Sequence, residues 1–457
     1  MSERFDCVVV GSGPGGYVAA IRAAQLGLKT AVVEKHKIGG RCLNEACIPA
    51  KAVLRSAEVL DEVRNAAAFG VALAGDPQVD YARVAARRDE VIASLTGGVA
   101  MLLRKNKVEI VEGEGRLDAD ANVVCGERVL ETDRVILACG SRPRPVAGAT
   151  FGGRIQDTAA TWLAGELPAS LAVVGAGASG CEIASAFRRF GVEVTLIEAL
   201  DRILPAEDED SSRAVAREFK RIGIDVRTGA RIAAIEDRGD RATVTLEDGE
   251  ELAFERVCIA AGRAPDADAL GLDAAGIERD ERGLIVVDER LRTSRPGVWA
   301  IGDMVRGPAL AHKASEEGIA AAEDAAGRDP LPLDLDFIPS VTFCHPQVAS
   351  FGLTEQQARE RGHDVVVGKV PIGAVGAPTV YGDRGGLVKI VGDKRYGELL
   401  GAHVVSAKAA ELIEELVVAR ELEGGYPELA RIVHAHPVFA EAVAEAARAA
   451  DGWLIHG

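Results

Sequence analysis

The stretch Phe5-Asp6-Cys7-Val8-Val9-Val10-Gly11-Ser12-Gly13-Pro14-Gly15-Gly16 decides the fold. Its apolar run, Phe5 to Val10, reads as a strand ending in a glycine cluster. Gly11, Gly13 and Gly16 then form a G-x-G-x-x-G. Those glycines permit a tight turn and let a pyrophosphate approach the backbone at a helix N-terminus, where free N–H groups and the dipole favour anions. A helical pattern follows from Tyr17 to Leu26, then a second strand from Thr30 to Val33. It ends at Glu34, whose carboxylate can accept a ribose hydroxyl pair.

The same unit recurs. Leu171 to Val174 reads as a strand, Gly175, Gly177 and Gly180 as the glycine turn, Cys181 to Phe190 as a helix, and Glu193 to Ile197 as the next strand. Glu34 follows Gly11 by 23 positions, and Glu198 follows Gly175 by 23. One glycine-rich turn can be an ordinary βα connection with no ligand. Two copies with matching strand, helix and acidic residue point to two dinucleotide sites. Glu198 would repel a 2′-phosphate, which favours NAD over NADP, although Arg202 lies nearby in sequence.

The 457 residues are too many for one ordinary core, so two or three domains are expected. The composition, 48% apolar and 27% charged, is that of a globular protein. A net charge of −17 argues against nucleic acid or an anionic membrane surface as partner. No apolar run is long enough to span a bilayer. The first strand begins by Phe5, which leaves no room for a signal peptide, and the cytoplasm is the expected compartment.

Between the two glycine units, Ala52 to Lys107 reads as helical with a break at Gly70 to Pro77, and Val108 to Leu137 as strands. A β-rich stretch runs from Asp225 to Ala260. From about Pro339 the pattern is α+β, with strands at Val341 to Phe343, Leu387 to Val391 and Leu399 to Val404, and helices at Ala409 to Arg420 and Pro437 to Ala450.

Of eight cysteines, only Cys42 and Cys47 lie close together. Zinc sites of this kind need a second pair or nearby histidines, so redox chemistry is the better reading and no metal is expected. A straight helix would separate their Cα atoms by about 7.5 Å along its axis, beyond the roughly 7 Å that a disulfide spans. Pro49 cannot donate a helical bond to the carbonyl of Glu45. The chain should therefore bend between the cysteines. The alternative is two unrelated buried thiols.

Gly39-Gly40-Arg41-Cys42-Leu43-Asn44-Glu45-Ala46-Cys47-Ile48-Pro49-Ala50-Lys51 resembles the redox-active segment of the class I pyridine nucleotide–disulfide oxidoreductases. The resemblance continues in family order through Ala138-Cys139-Gly140-Ser141, the second glycine turn, and Ala300-Ile301-Gly302-Asp303. Leu200 to Pro205, Leu310-Ala311-His312-Lys313-Ala314 and His434-Ala435-His436-Pro437 resemble the dihydrolipoamide-oxidising branch. The resemblance implies an α/β fold with two Rossmann-like domains and a C-terminal α+β dimerisation domain. It implies FAD binding over 1–148 and 276–336, NAD binding over 149–275 and a dimer interface over 337–457.

It also implies roles. FAD would sit at Gly11, Gly13, Gly16 and Glu34, with Asp303 on its ribityl chain, and Gly140, Gly262, Ala311 and His312 are further cofactor-binding positions. NAD would sit at Gly175, Gly177, Gly180 and Glu198. Lys51 and Glu182 match an ion pair near the reactive edge of the flavin. Cys47 matches the flavin-proximal thiol and Cys42 the thiol that exchanges with substrate. His436 matches the base, from the second subunit of a homodimer, and Glu441 its orienting partner. Pro437 fits the first turn of a helix, and His434 is assigned to structure.

The expected reaction is oxidation of dihydrolipoamide carried on the lipoyl domain of a 2-oxoacid dehydrogenase-type complex, with reduction of NAD. The alternatives are a reductase or diaphorase for a non-lipoyl substrate, and a non-catalytic assembly subunit. Arg41, Glu45, Ala46, Ala50, Cys139, Ser179 and Asp266 depart from the family pattern, and an Arg common in relatives is absent from Gly373 to Thr379.

Overall fold

The computed structural model describes residues 2–457. The chain divides into two compact units. The first comprises 2–52, 82–144 and 262–335; the second comprises 53–81, 145–261 and 336–457.

The first unit is built on a five-stranded parallel sheet. Its order is Val298–Ala300, Val135–Leu137, Cys7–Val10, Thr30–Glu34, Glu109–Glu112. Cys7–Val10 and Thr30–Glu34 are buried at every residue. That is why their sequences are continuous apolar runs rather than alternating ones. Each valine in Cys7–Val10 contributes about 1.5–3 kcal/mol of burial. Cys7–Val10 has neighbours on both sides that follow it in the chain, so the strand order reverses there. Ligands of open α/β sheets bind in the crevice beyond the carboxyl end of such a strand.

The helix after that strand spans Pro14–Gln25, with proline in its first turn. The sequence starts it at Tyr17. The glycines at 15 and 16 hide the first turn from a pattern reading, but they are helical and buried. A smaller four-stranded sheet and a two-stranded ribbon, Arg263–Pro265 with Ser141–Pro143, complete the unit.

The second unit repeats the arrangement. Its parallel sheet runs Ile155–Asp157, Arg256–Ile259, Ser170–Val174, Glu193–Ile197, Asp225–Arg227. The helix after the second glycine turn is Ala178–Arg189. The C-terminal part is a five-stranded antiparallel sheet, ordered Ser340–Thr342, Gln347–Gly352, Glu398–Ser406, Leu387–Asp393, Val365–Pro371. Val388, Ile390, Ala402 and Val404 pack from it against the helices Ala409–Glu421 and Glu441–Ala450.

The last helix begins at Glu441 rather than Pro437. The intervening residues form a turn in which the Glu441 carboxylate accepts the Val438 N–H at 3.0 Å. A carboxylate reaching back in this way satisfies an amide that a helix starting at Pro437 would have left to solvent. The helical stretch Ala52 to Lys107 resolves into Cys47–Arg64, a short 3₁₀ turn at Ala66–Phe69, and Tyr81–Lys105. Among the described residues, no helix is long and apolar enough to cross a membrane.

Candidate active site

The two glycine turns are near-copies. Gly11 has φ +98° and Gly175 φ +96°, backbone that a residue with a Cβ rarely adopts. A Cβ on Gly16 would sit 1.9 Å from the Gly11 carbonyl oxygen, and one on Gly180 would sit 1.9 Å from that of Gly175. Helix and strand therefore meet only because these residues are glycine. Around Gly13 and Gly177 the space is open, with no heavy atom within 4 Å of a Cβ position. Neither helix has a side-chain cap on its first turn. Free amides facing open space at a helix N-terminus fit a pyrophosphate.

The acidic residues match as well. Glu34 Oε2 accepts the Ser12 N–H at 2.9 Å and its Oε1 accepts that of His36 at 2.8 Å. Glu198 Oε2 accepts from Ala176 at 2.7 Å and its Oε1 from Leu200 at 2.9 Å. Each carboxylate is thus aimed by its own turn, with lone pairs left for ribose hydroxyls. Arg202 donates to the Pro205 carbonyl at 3.1 Å, within its own loop.

Cys42 and Cys47 are joined in a disulfide, with Cα atoms 4.8 Å apart. The helix Gly40–Asn44 stops at Glu45, whose backbone leaves the helical range at φ −136°, and a new helix starts at Cys47. This is the predicted bend. Asn44 braces the first helix by donating to the carbonyls of Ile38 and Gly40. Arg41 and Glu45, two of the departures from the family pattern, face each other at 3.9 Å. A Cβ on Gly40 would lie 2.6 Å from Gly13 Cα. The disulfide peptide therefore rests directly on the first dinucleotide turn. Lys51 follows Cys47 by four residues on the same helix, which places it over the same face.

In the same unit, Asp303 occupies the short turn Gly302–Met304. Ser141 donates its hydroxyl to the Asp303 carboxylate. Arg263 donates to Ser141 Oγ at 2.7 Å and lies 4.0 Å from Asp303. Sequence reasoning missed Ser141 and Arg263 as functional groups, because the ribbon pairing them is formed by residues over a hundred positions apart. Gly140 and Gly262 present open space. Ala311 and His312 open the helix Ala311–Ala325, whose first turn has no side-chain cap. Cys139 is half-buried, and desolvation pushes its thiol pKa up to about 12. Asp266 pairs with Lys35 at 2.8 Å.

The second unit holds the remaining candidates. Glu182 is buried inside its helix, and its Oε1 accepts the Phe343 N–H at 2.9 Å. It does more than complement a helix N-terminus. His436 Nδ1 lies 2.9 Å from Glu441 Oε1, and the His436 side chain is 75% exposed, so its other ring nitrogen is available to substrate. Burial acts to raise the Glu441 carboxyl, but hydrogen bonds from His436 and Val438 hold it below its usual value. His434 is tied to Glu415 at 2.6 Å, which raises its pKa. That is the structural role expected of it.

The pyridine nucleotide-disulphide oxidoreductase family matches residues 5–318, and the dimerisation domain of the same family matches residues 338–447. The chain belongs to that family. Like other pyridine nucleotide–disulfide oxidoreductases, it is an enzyme that uses FAD and NAD. Dihydrolipoyl dehydrogenases similar to it include those of Thermus scotoductus, 42% identical over 99% of both chains, and Bacillus subtilis, 41% identical over the whole of both. Another, from Mycobacterium tuberculosis, is 43% identical over 99% of both chains. Among solved structures, LpdA from Mycobacterium tuberculosis superimposes with a TM-score of 0.90 at 27% identity, covering 97% of this chain and 99% of that one. The HOCl-induced flavoprotein disulfide reductase RclA from Escherichia coli, as its Cu(II) complex, gives 0.87 at 26% identity, with the same coverage. The expected fold class, cofactors and disulfide chemistry are borne out.

Proposed function

We propose that this oxidoreductase oxidises dihydrolipoamide carried on a lipoyl domain and reduces NAD, using Cys42, Cys47 and the His436–Glu441 pair. The observation that carries the reading is the Cys42–Cys47 disulfide seated on the first dinucleotide turn through Gly40. The names of the relatives support the choice of substrate.

The chemistry of the chain's own residues follows from that arrangement. Only a thiolate attacks a disulfide. Glu441 accepts Nδ1–H and leaves Nε2 of His436 free to take the proton of a substrate thiol. The resulting thiolate attacks Cys42 Sγ. The Cys42–Cys47 bond breaks and Cys47 leaves as a thiolate. The second substrate thiol gives its proton to the departing Cys42 sulfur and attacks the substrate sulfur joined to Cys42. That mixed-disulfide bond breaks, the cyclic disulfide forms and Cys42 leaves as a thiol, with the other proton on His436. Two electrons and two protons have left the substrate, and the electrons rest on the cysteine pair. FAD, when bound, supplies the two-electron relay from that pair to NAD. Gly11, Gly13, Gly16 and Glu34 hold its pyrophosphate and adenosine ribose, and Asp303 its ribityl chain. Gly140, Gly262, Ala311 and His312 are assigned to cofactor binding. Lys51 and Glu182 are each assigned a role toward its reactive edge. Gly175, Gly177, Gly180 and Glu198 hold NAD.

The domain assignment is FAD over 1–148 and 276–336, NAD over 149–275 and interface over 337–457. The enzyme works as a homodimer in the cytoplasm, with His436 supplied across the interface. Exposed Ile432, Val433, Val418 and Leu422 support a partner for the dimerisation domain. The test is NADH formation from NAD and dihydrolipoamide by the purified protein. The expected result is turnover that Cys47→Ser removes. Equal NADH formation by the Cys47→Ser protein would refute the assignment.

A further inference from the structure

A buried ion pair lies outside all of these roles. Lys313 and Glu317, one helical turn apart in Ala311–Ala325, are 1% and 2% exposed and meet at 3.0 Å. Such a pair seldom stabilises a fold more than two apolar side chains of the same size would, because both charges lose their hydration. Here both ions end on one residue. Lys313 Nζ donates to the Gly302 carbonyl at 3.0 Å, and Glu317 Oε2 accepts the Gly302 N–H at 2.7 Å. Gly302 has φ +73° and directly precedes Asp303.

The neighbours leave these side chains little freedom. A Cβ on Gly307 would meet Lys313 Cε at 2.8 Å, so the lysine stem is packed against that turn. A Cβ on Gly318 would meet the Gly15 carbonyl oxygen at 2.5 Å, so the same helix is also pressed onto the first turn of Pro14–Gln25. Asp303 is braced on its side-chain end by Ser141 and Arg263. Its backbone end is braced by the Lys313–Glu317 pair.

We propose that Lys313 and Glu317 are positioning residues for FAD: they clamp both polar groups of Gly302 and so aim the Asp303 carboxylate at the ribityl chain. The proposal rests on the reading of Asp303 as the ribityl carboxylate. Carboxylate and clamp are separable, because Asp303→Asn tests the first alone: unchanged FAD affinity in that variant would fail the Asp303 reading.

The experiment measures the FAD dissociation constant of apoprotein by quenching of flavin fluorescence, with visible circular dichroism of the bound flavin as a second readout. Lys313→Met with Glu317→Leu removes both contacts without leaving a lone buried charge. It should fold, with apoprotein Tm near that of the parent, and bind FAD at least about tenfold more weakly, the scale of a lost charge-assisted hydrogen bond. Lys313→Met with Glu317→Gln keeps a neutral acceptor for the Gly302 N–H and should recover part of that affinity and of the dichroism. Parental affinity in the Met/Leu variant overturns the proposal, and so does equal weakening in both variants. If the Met/Leu variant does not fold, parental affinity in the Met/Gln variant overturns it and weakened affinity supports it. If neither folds, the pair is a requirement of the fold and the proposal is overturned.

Discussion

His436 and Glu441 form a hydrogen-bonded pair at 2.9 Å, and the same carboxylate accepts the Val438 N–H at 3.0 Å. One side chain therefore orients the imidazole and closes the turn that carries it. Glu441→Gln keeps most of that geometry but weakens the support for imidazolium. Turnover of dihydrolipoamide should fall by about 10–100-fold, and the acidic limb of its pH profile should move to lower pH. Glu441→Ala should lose more turnover and should also lower the Tm. A Gln variant with the parental profile would remove His436 from the proton path.

Gly13 and Gly16 stand three residues apart and should fail differently. Gly13 has an ordinary φ of −62° and open space where a Cβ would go. Gly13→Ala should leave apoprotein stability unchanged and weaken FAD binding, because the methyl group enters the space left for pyrophosphate. Gly16→Ala drives a Cβ to 1.9 Å from the Gly11 oxygen and should destabilise the apoprotein itself. Thermal unfolding of apoprotein beside FAD titration separates the two. Equal behaviour of the two variants would contradict the geometry.

Glu198 bears on nucleotide choice. Glu198→Ala removes the carboxylate that opposes a 2′-phosphate, and it also releases the N–H groups of Ala176 and Leu200. The KM for NAD should rise and the kcat/KM ratio of NADP to NAD should increase by about tenfold or more. FAD content should not change. A loss of FAD in this variant would reassign the second turn.

Glu445 governs acid stability near the C-terminus. Burial acts to raise its carboxyl, but the N–H groups of His456 and Ile455, the His456 ring and Arg448 bring it down to about 2. A carboxyl depressed below its unfolded value of about 4.5 contributes stability that is fully present above pH 4.5. That stability drains away as pH falls toward 2, because the unfolded chain binds the proton first. Glu445→Gln should therefore have a lower Tm at pH 6 and a shallower decline between pH 5 and 3. A decline parallel to that of the parent would show that Glu445 does not carry the dependence.

The sequence by itself determined the parts that local chemistry dictates. Gly11, Gly13 and Gly16 permit a tight turn, as do Gly175, Gly177 and Gly180; Pro49 must interrupt the helical ladder between the cysteines; and the apolar runs before the glycine turns read as strands. Those constraints act within a few residues, so the two turns, their carboxylates and a bend between the cysteines were readable in order along the chain. Only the tertiary structure decided what lies opposite each group. Phe343 gives its N–H to Glu182, Ser141 and Arg263 brace Asp303, and the Lys313–Glu317 pair clamps Gly302. The start of the last helix belongs to the same class, since a proline rule places it at Pro437 and the reach of Glu441 moves it. A buried polar group takes whatever partner packing brings within hydrogen-bond distance, and packing joins residues that no spacing rule connects.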